Sequence, residues 1–194
     1  MSTPHYFIAI PLPKPLKRHF STWIEQLKGH LPYKQWTNQH DLHITLKFLG
    51  GVHQSQLNTL NQLLKSQSLS SVFSIRIGSL GTFGRTDQPR VLWADVEKTK
   101  ELRILHQRIE KCALDAGFSK ETRRYRPHIT LAKKWNPSSA YGNLPQLNMQ
   151  YEGDEQRMIV DEVVVYQIHP QKTPKYERVL TYALDRGEQL GPID

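Results

Sequence analysis

Cysteine is almost missing from this chain of 194 residues: Cys112 is the only one. No internal disulfide can form, and a zinc site built on several thiolates is excluded. No apolar run approaches the ~20 residues of a membrane-spanning helix. Near the start only Tyr6 to Ile10 is apolar before Pro11 interrupts, too short for the apolar part of a secretory leader. These shortages predict a cytoplasmic chain that meets no membrane. Acid is also in deficit, with 18 Asp and Glu against 26 Lys and Arg, a formal net charge of +8 with nine histidines uncounted. Glycine and proline, at 11 and 12 residues, are too few and too scattered for collagen or a low-complexity chain. The length suits one domain at about 100–200 residues each, with enough chain to bury a core.

What is present alternates between two periodicities. Leu16, Phe20, Ile24 and Leu27 recur at helical spacing, as do Leu57, Leu60 and Leu64, and then Leu102, Leu105, Ile109, Ala113 and Ala116, closed by Gly117. Between them, alternating or β-branched runs predict strands over Tyr6 to Leu12, Leu42 to Leu49, Val72 to Ile77, Val91 to Val96, Pro127 to Ala132, Ile159 to Ile168 and Val179 to Leu184. The class is α+β. Trp135 to Leu147, rich in Pro, Ser, Gly and Asn, predicts a loop too short to separate domains.

An internal repeat outweighs these patterns. His43-Ile44-Thr45-Leu46 returns 85 residues later as His128-Ile129-Thr130-Leu131. On a strand, successive side chains alternate faces, so His43 and Thr45 share one face while Leu42, Ile44, Leu46 and Phe48 share the other. His128 and Thr130 stand in the same relation to Ile129 and Leu131. If each aliphatic face is buried under helices, two imidazoles and two hydroxyls look at each other across a cleft. A single His-x-Thr on a strand is usually structural; two copies at matched positions in a two-half chain point to catalysis. Imidazoles with ordinary pKa values near ~6.5 can divide the work of an in-line displacement at phosphorus, one taking a proton and one giving it. Threonine hydroxyls can donate to the non-bridging oxygens as charge grows there. A metal site built from His40 and His43 is the competing chemistry, and no His-Glu-x-x-His or carboxylate-rich cluster supports it. No Gly-x-Ser-x-Gly elbow is present for a serine triad.

Charge gathers on the second copy. From Lys120 to Lys134 six basic residues stand against Glu121, a run that attracts a polyanion and makes binding salt-sensitive. Arg126 is held extended by Pro127 just before His128. By like-charge repulsion, Arg126, Lys133 and Lys134 should favour the neutral form of His128, which predicts His128 as base and His43 as acid. The fifth residue after each histidine is Phe48 in one copy and Lys133 in the other. A nucleobase could sit between ring and cation, provided each strand bulges near its end, because strict alternation would turn both away from the cleft.

These residues resemble a known family. Phe7-Ile8-Ala9-Ile10-Pro11, Leu42-His43-Ile44-Thr45-Leu46-Lys47-Phe48-Leu49-Gly50, Leu80-Gly81-Thr82-Phe83-Gly84, Arg90-Val91-Leu92-Trp93, Tyr125-Arg126-Pro127-His128-Ile129-Thr130-Leu131-Ala132-Lys133 and Pro174-Lys175-Tyr176 carry the likeness nearly end to end. The chain is similar to the two-histidine phosphoesterases, and within them to the bacterial and archaeal RNA 2′,3′-cyclic phosphodiesterases once called 2′-5′ RNA ligases. Lys133 stands where arginine is more usual, and no serine appears in Tyr166-Gln167-Ile168-His169. The resemblance implies residues 1–194 as a single phosphodiesterase domain of two pseudo-symmetric lobes. It implies two antiparallel sheets related by a pseudo-two-fold, helices outside and a central cleft. It further implies His43, His128, Thr45 and Thr130 as catalytic, and Arg126, Lys133, Phe48 and Tyr176 as substrate-binding, Tyr176 on the resemblance alone. No metal and no cofactor are implied, and the partner is RNA or an oligonucleotide ending in a 2′,3′-cyclic phosphate, bound by a monomer. A non-catalytic RNA-binding module, an enzyme for another cyclic phosphate and 2′-5′ ligation remain open alternatives.

Overall fold

Helices form where the apolar residues recur every three or four positions. Strand β1 (His5–Pro11) leads into α1 (Lys14–Lys28), whose Leu16, Phe20, Trp23, Ile24 and Leu27 are buried as one stripe. Strands β2 (Tyr33–Trp36) and β3 (His43–Gly51) precede α2 (Gln54–Lys65), which buries Leu57, Leu60 and Leu64. Strands β4 (Phe73–Gly84) and β5 (Pro89–Val96) precede α3 (Lys100–Asp115). The Thr99 hydroxyl caps α3 by accepting from the Leu102 amide at 3.1 Å. Gly117 ends it at φ +84°, where Phe118 N–H reaches the Ala113 carbonyl at 2.9 Å. Then follow β6 (His128–Trp135), α4 (Leu144–Tyr151), β7 (Gln156–Val160), β8 (Glu162–Ile168) and β9 (Tyr176–Ala183). The computed structural model describes residues 3–136 and 144–186.

The strands run in the order β7-β4-β5-β6-β3-β1-β8-β9, with β2 beside β6, and every named pair is antiparallel. The expected two sheets therefore meet as one, joined at its centre by a single pair, Ile44 opposite Ile129. Each half is completed by the other. β4 follows the first motif in sequence yet pairs with β5 beside the second, while β8 follows the second motif and pairs with β1 beside the first. The helical stripes share one core with Ile8, Ile10, Ile44, Leu92, Ile129 and Val165 of the strands. The opposite face of β1 and β8 carries a small separate cluster, Phe7, Ala9, Val164 and Tyr166.

The structure corrects several boundaries. The run Ile159 to Ile168 is two strands, because Asp161 ends β7, which pairs with β4, and the chain passes to the other half of the sheet as β8, which pairs with β1. β4 continues past Ile77 to Gly84, and β2 was not expected. Of the expected loop Trp135 to Leu147, Trp135 closes β6 and Leu144 opens α4, while residues 137–143 lie outside the described residues.

Candidate active site

The repeat makes two strands with one local anomaly. In β3, Thr45 stands opposite Ala9 and Lys47 opposite Ile8, leaving Leu46 as an extra residue. In β6, Thr130 stands opposite Trp93 and Ala132 opposite Leu92, leaving Leu131 in the same position. Each is a β-bulge, which turns the next side chains to the other face, and β3 has a second register shift at Leu49. Leu46 and Lys47 are consequently both buried and Phe48 emerges exposed, as Leu131 and Ala132 are buried and Lys133 emerges. The bulge that the ring-and-cation reading needs is present in both copies. Phe48 and Lys133 line one pocket of 190 Å³ with His43, Thr45, His128 and Thr130, and Tyr176 closes a side of it.

The pairing of Ile44 with Ile129 explains how the four motif side chains come together. In that register His43 lies across from Thr130 and Thr45 across from His128, all turned away from the aliphatic core. Both imidazoles are held alike. His43 Nδ1 donates to the Asp41 carbonyl at 2.6 Å and His128 Nδ1 to the Arg126 carbonyl at 2.7 Å, each carbonyl two residues upstream. A carbonyl can only accept, so Nδ1 carries the proton and Nε2 is the working atom in both. His43 Nε2 lies 3.0 Å from the Thr45 hydroxyl, which donates to it while the ring is neutral.

Aromatic rings seat both histidines. Phe7 lies 4.7 Å and Tyr176 5.2 Å from the His43 ring, centroid to centroid. Phe83 lies 4.9 Å edge-on to His128, with Trp93 at 6.2 Å, and the Arg126 guanidinium lies 5.7 Å from the Phe83 centroid. Burial dominates the electrostatics. It pushes His43 down to about 4 against the opposing Asp41 hydrogen bond, with Lys133, His128 and Lys17 adding to the fall. His128 is also lowered, by burial first and Lys133 next, while its Arg126 hydrogen bond and Asp95 oppose. The charge argument for His128 alone being kept neutral is thus corrected. Lys133 bears on both rings, Arg126 turns its guanidinium to Phe83, and the deeper burial belongs to His43. Among the described residues no group of three His, Cys, Asp or Glu side chains could hold a metal ion.

Several supporting residues escaped the sequence reading. Asp41, buried in a 3-10 turn, offers its carbonyl to His43 and its carboxylate to the amides of Lys175 and Tyr176 at 3.0 and 3.2 Å. It therefore ties the start of β9, and the Tyr176 ring with it, to the imidazole. Lys47 turns into the core side, donating to Glu110 at 2.8 Å and to the Ser119 carbonyl at 2.7 Å. The Tyr125 hydroxyl donates to the Thr45 carbonyl at 3.2 Å and its ring stacks on His106 at 3.8 Å. These contacts fasten the segment that carries Arg126 to the first motif. Phe7, Phe83 and Trp93 lay within the family-like segments, yet single aromatic residues there gave no signal of a place beside a histidine.

Comparison with known proteins finds relatives of one family and one fold. The family model described as "2'-5' RNA ligase superfamily" matches residues 15–172. The RNA 2′,3′-cyclic phosphodiesterase of Bacillus subtilis is 33% identical over 182 residues, 93% of this chain and 97% of that protein. The one of Geobacillus stearothermophilus is 33% identical over 200 residues and all of this chain, which spans 63% of that longer relative. Among solved structures, E. coli LigT complexed with 3′-AMP superposes with a TM-score of 0.76 at 21% identity, covering 94% of this chain and 98% of that one.

Proposed function

Because this chain belongs to the 2′-5′ RNA ligase superfamily, we propose that it hydrolyses the 2′,3′-cyclic phosphate at an RNA end to a 2′-phosphomonoester. The observation that carries the reading is the pair of equivalently tethered imidazoles with their threonines around one small pocket. Relatives at 33% identity carry the phosphodiesterase name. Water attacks phosphorus as His128 Nε2 takes its proton. The bond from phosphorus to the 3′ oxygen breaks, and His43 Nε2 protonates that oxygen. Thr45 and Thr130 donate to the non-bridging oxygens, Arg126 and Lys133 supply positive charge, and Phe48, 58% exposed, offers its face to the terminal base.

His43 serves as the acid only if it gains a proton when substrate arrives, and its burial makes that gain large. A phosphate anion about 4 Å from an imidazolium is worth about 4 kcal/mol at an effective dielectric constant of 20. At about 1.4 kcal/mol per pH unit, that offsets a displacement from the ordinary ~6.5 to about 4. Protonation also reverses the bond to Thr45: His43 Nε2 becomes the donor, and the hydroxyl proton is released toward phosphate. The two imidazoles supply both proton transfers, so turnover of a nucleoside 2′,3′-cyclic phosphate should persist in EDTA. Abolition by EDTA with rescue by a divalent ion would sink this mechanism, and an unaltered substrate would favour a pure binding module. The acid is identified with an analogue whose leaving group needs no proton, which should rescue His43→Ala and leave His128→Ala impaired.

A further inference from the structure

The histidine pocket is too small for its ligand. At 190 Å³ it falls below the ~300–1,000 Å³ of ordinary small-molecule sites, so a nucleotide on it must reach into a neighbouring hollow. Three larger cavities adjoin, and one of 410 Å³, lined by Arg90, Lys133 and Lys134, shares only Lys133 with the histidine pocket. Another, of 620 Å³, over α1 and β8, shares only Tyr176 with the histidine pocket. Its basic residues, Lys14, Lys17, Arg18 and Arg178, outnumber Asp161 and Glu162, but Arg178 pairs with Glu162 at 2.6 Å and none of the four lines the histidine pocket. The third, of 540 Å³, shares four residues with the histidine pocket, Thr37, Asp41, Lys133 and Tyr176, and forms its continuation.

Charge in that continuation is unbalanced in a particular way. Its two carboxylates are engaged: Asp41 accepts from the Lys175 and Tyr176 amides, and Glu25 pairs with Lys28 at 2.5 Å. Lys133 and Lys175 both line the cavity, and neither forms an ion pair with a carboxylate among the described residues. They feel each other, since burial and then the charge of Lys175 push the Lys133 ammonium down. Two cations held together without an anion destabilise the empty site, and an anion placed between them relieves the repulsion. Both are fixed by the catalytic frame. Lys133, five residues after His128, is presented by the bulge at Leu131, and the backbone of Lys175 is held by the residue whose carbonyl orients His43.

We propose that Lys133 and Lys175 form a subsite for the phosphodiester that joins the terminal nucleotide to its upstream neighbour. The RNA chain then leaves the histidines through the 540 Å³ cavity, where Trp36 and Ile24 offer an apolar wall. This rests on the phosphodiesterase reading and deepens it: the substrate is an oligonucleotide end, and Lys133 answers its backbone rather than its base.

The test is calorimetric binding of two product-like ligands, a nucleoside 2′-monophosphate and a dinucleotide bearing the same 2′-phosphate end. Charge-assisted hydrogen bonds of about 1.5–3 kcal/mol correspond to a preference of about 10–100-fold for the dinucleotide. Lys175→Met should bring that ratio toward one, Lys175→Arg should keep most of it, and a neutral methylphosphonate linkage should abolish it in the native protein. The slope of log affinity against log salt should become shallower by about 0.7 in Lys175→Met. Equal affinities for the two ligands in the native protein would overturn the subsite, as would an equal loss for both in Lys175→Met with melting temperature unchanged. Turnover of a nucleoside 2′,3′-cyclic phosphate is measured on the same preparation. Turnover with equal affinities removes the subsite and keeps the hydrolase; dinucleotide preference without turnover keeps the subsite and removes the hydrolase.

Discussion

At the residue scale the two histidines are alike in tether and unlike in depth. Each Nδ1 is committed to a carbonyl two residues upstream, so replacing either ring removes one proton transfer and leaves the strand intact. His43→Ala and His128→Ala should each lower kcat by about 10²–10⁴, with melting temperatures near that of the native protein. Near-native kcat in a folded variant would remove that residue from the mechanism. Burial lowers the pKa of both rings in the free protein. One ring must be protonated and the other neutral, so the bell of kcat/KM, which reports the free protein, should peak below the ordinary ~6.5 of histidine. The bound phosphate raises both, so the kcat profile should lie at higher pH, and its limbs belong to the coupled pair. A kcat/KM maximum above pH 7 would contradict this. The identity and facing of His43, Thr45, His128 and Thr130 were legible in sequence, because alternation on a strand is a local rule. The depth of each ring was not, since it depends on Phe7, Tyr176 and Phe83, which are brought there by other strands.

At the element scale, the two bulged strands are supported differently. Lys47 of β3 is 6% exposed and its partner Glu110 of α3 15%, where β6 carries the small Ala132 at the equivalent place. Breaking a buried ion pair costs about 3–5 kcal/mol, whereas replacing both members with apolar residues is often neutral. Lys47→Met alone should therefore lower the urea midpoint sharply, and the double variant Lys47→Met, Glu110→Leu should recover most of it. Equal loss in single and double variants would show that the pair is not what holds this region. On the other side, a Cβ on Gly81 would fall 2.1 Å from Cη2 of Trp93, so β4 leaves room for the indole that rests beside His128. Gly81→Ala should cost about 1–3 kcal/mol through overpacking and lower kcat by displacing Trp93. Unchanged stability and activity would show that the ring has slack. Periodicity revealed three helices because their stripes face one core. It missed α4 and β2, which are short, and it fused β7 with β8, because only Asp161 and Glu162 interrupt their apolar run.

Over the whole molecule, the duplication seen in sequence became something that sequence spacing does not contain. β4 and β8 cross to the opposite half, and Ile44 with Ile129 joins what were expected to be two sheets. Such pairings between distant segments leave no local pattern. They matter for chemistry, since exchange of strands fixes the two halves against each other and so fixes one histidine against the other across the pocket. Under the proposed mechanism this arrangement opens a cyclic phosphate with one regiochemistry. The most direct measurement is phosphorus NMR of an RNA oligonucleotide ending in a 2′,3′-cyclic phosphate after incubation with the protein. Conversion to the 2′-phosphomonoester alone is the predicted result; an unchanged cyclic phosphate, a 3′-phosphate or a mixture of the two monoesters would contradict it.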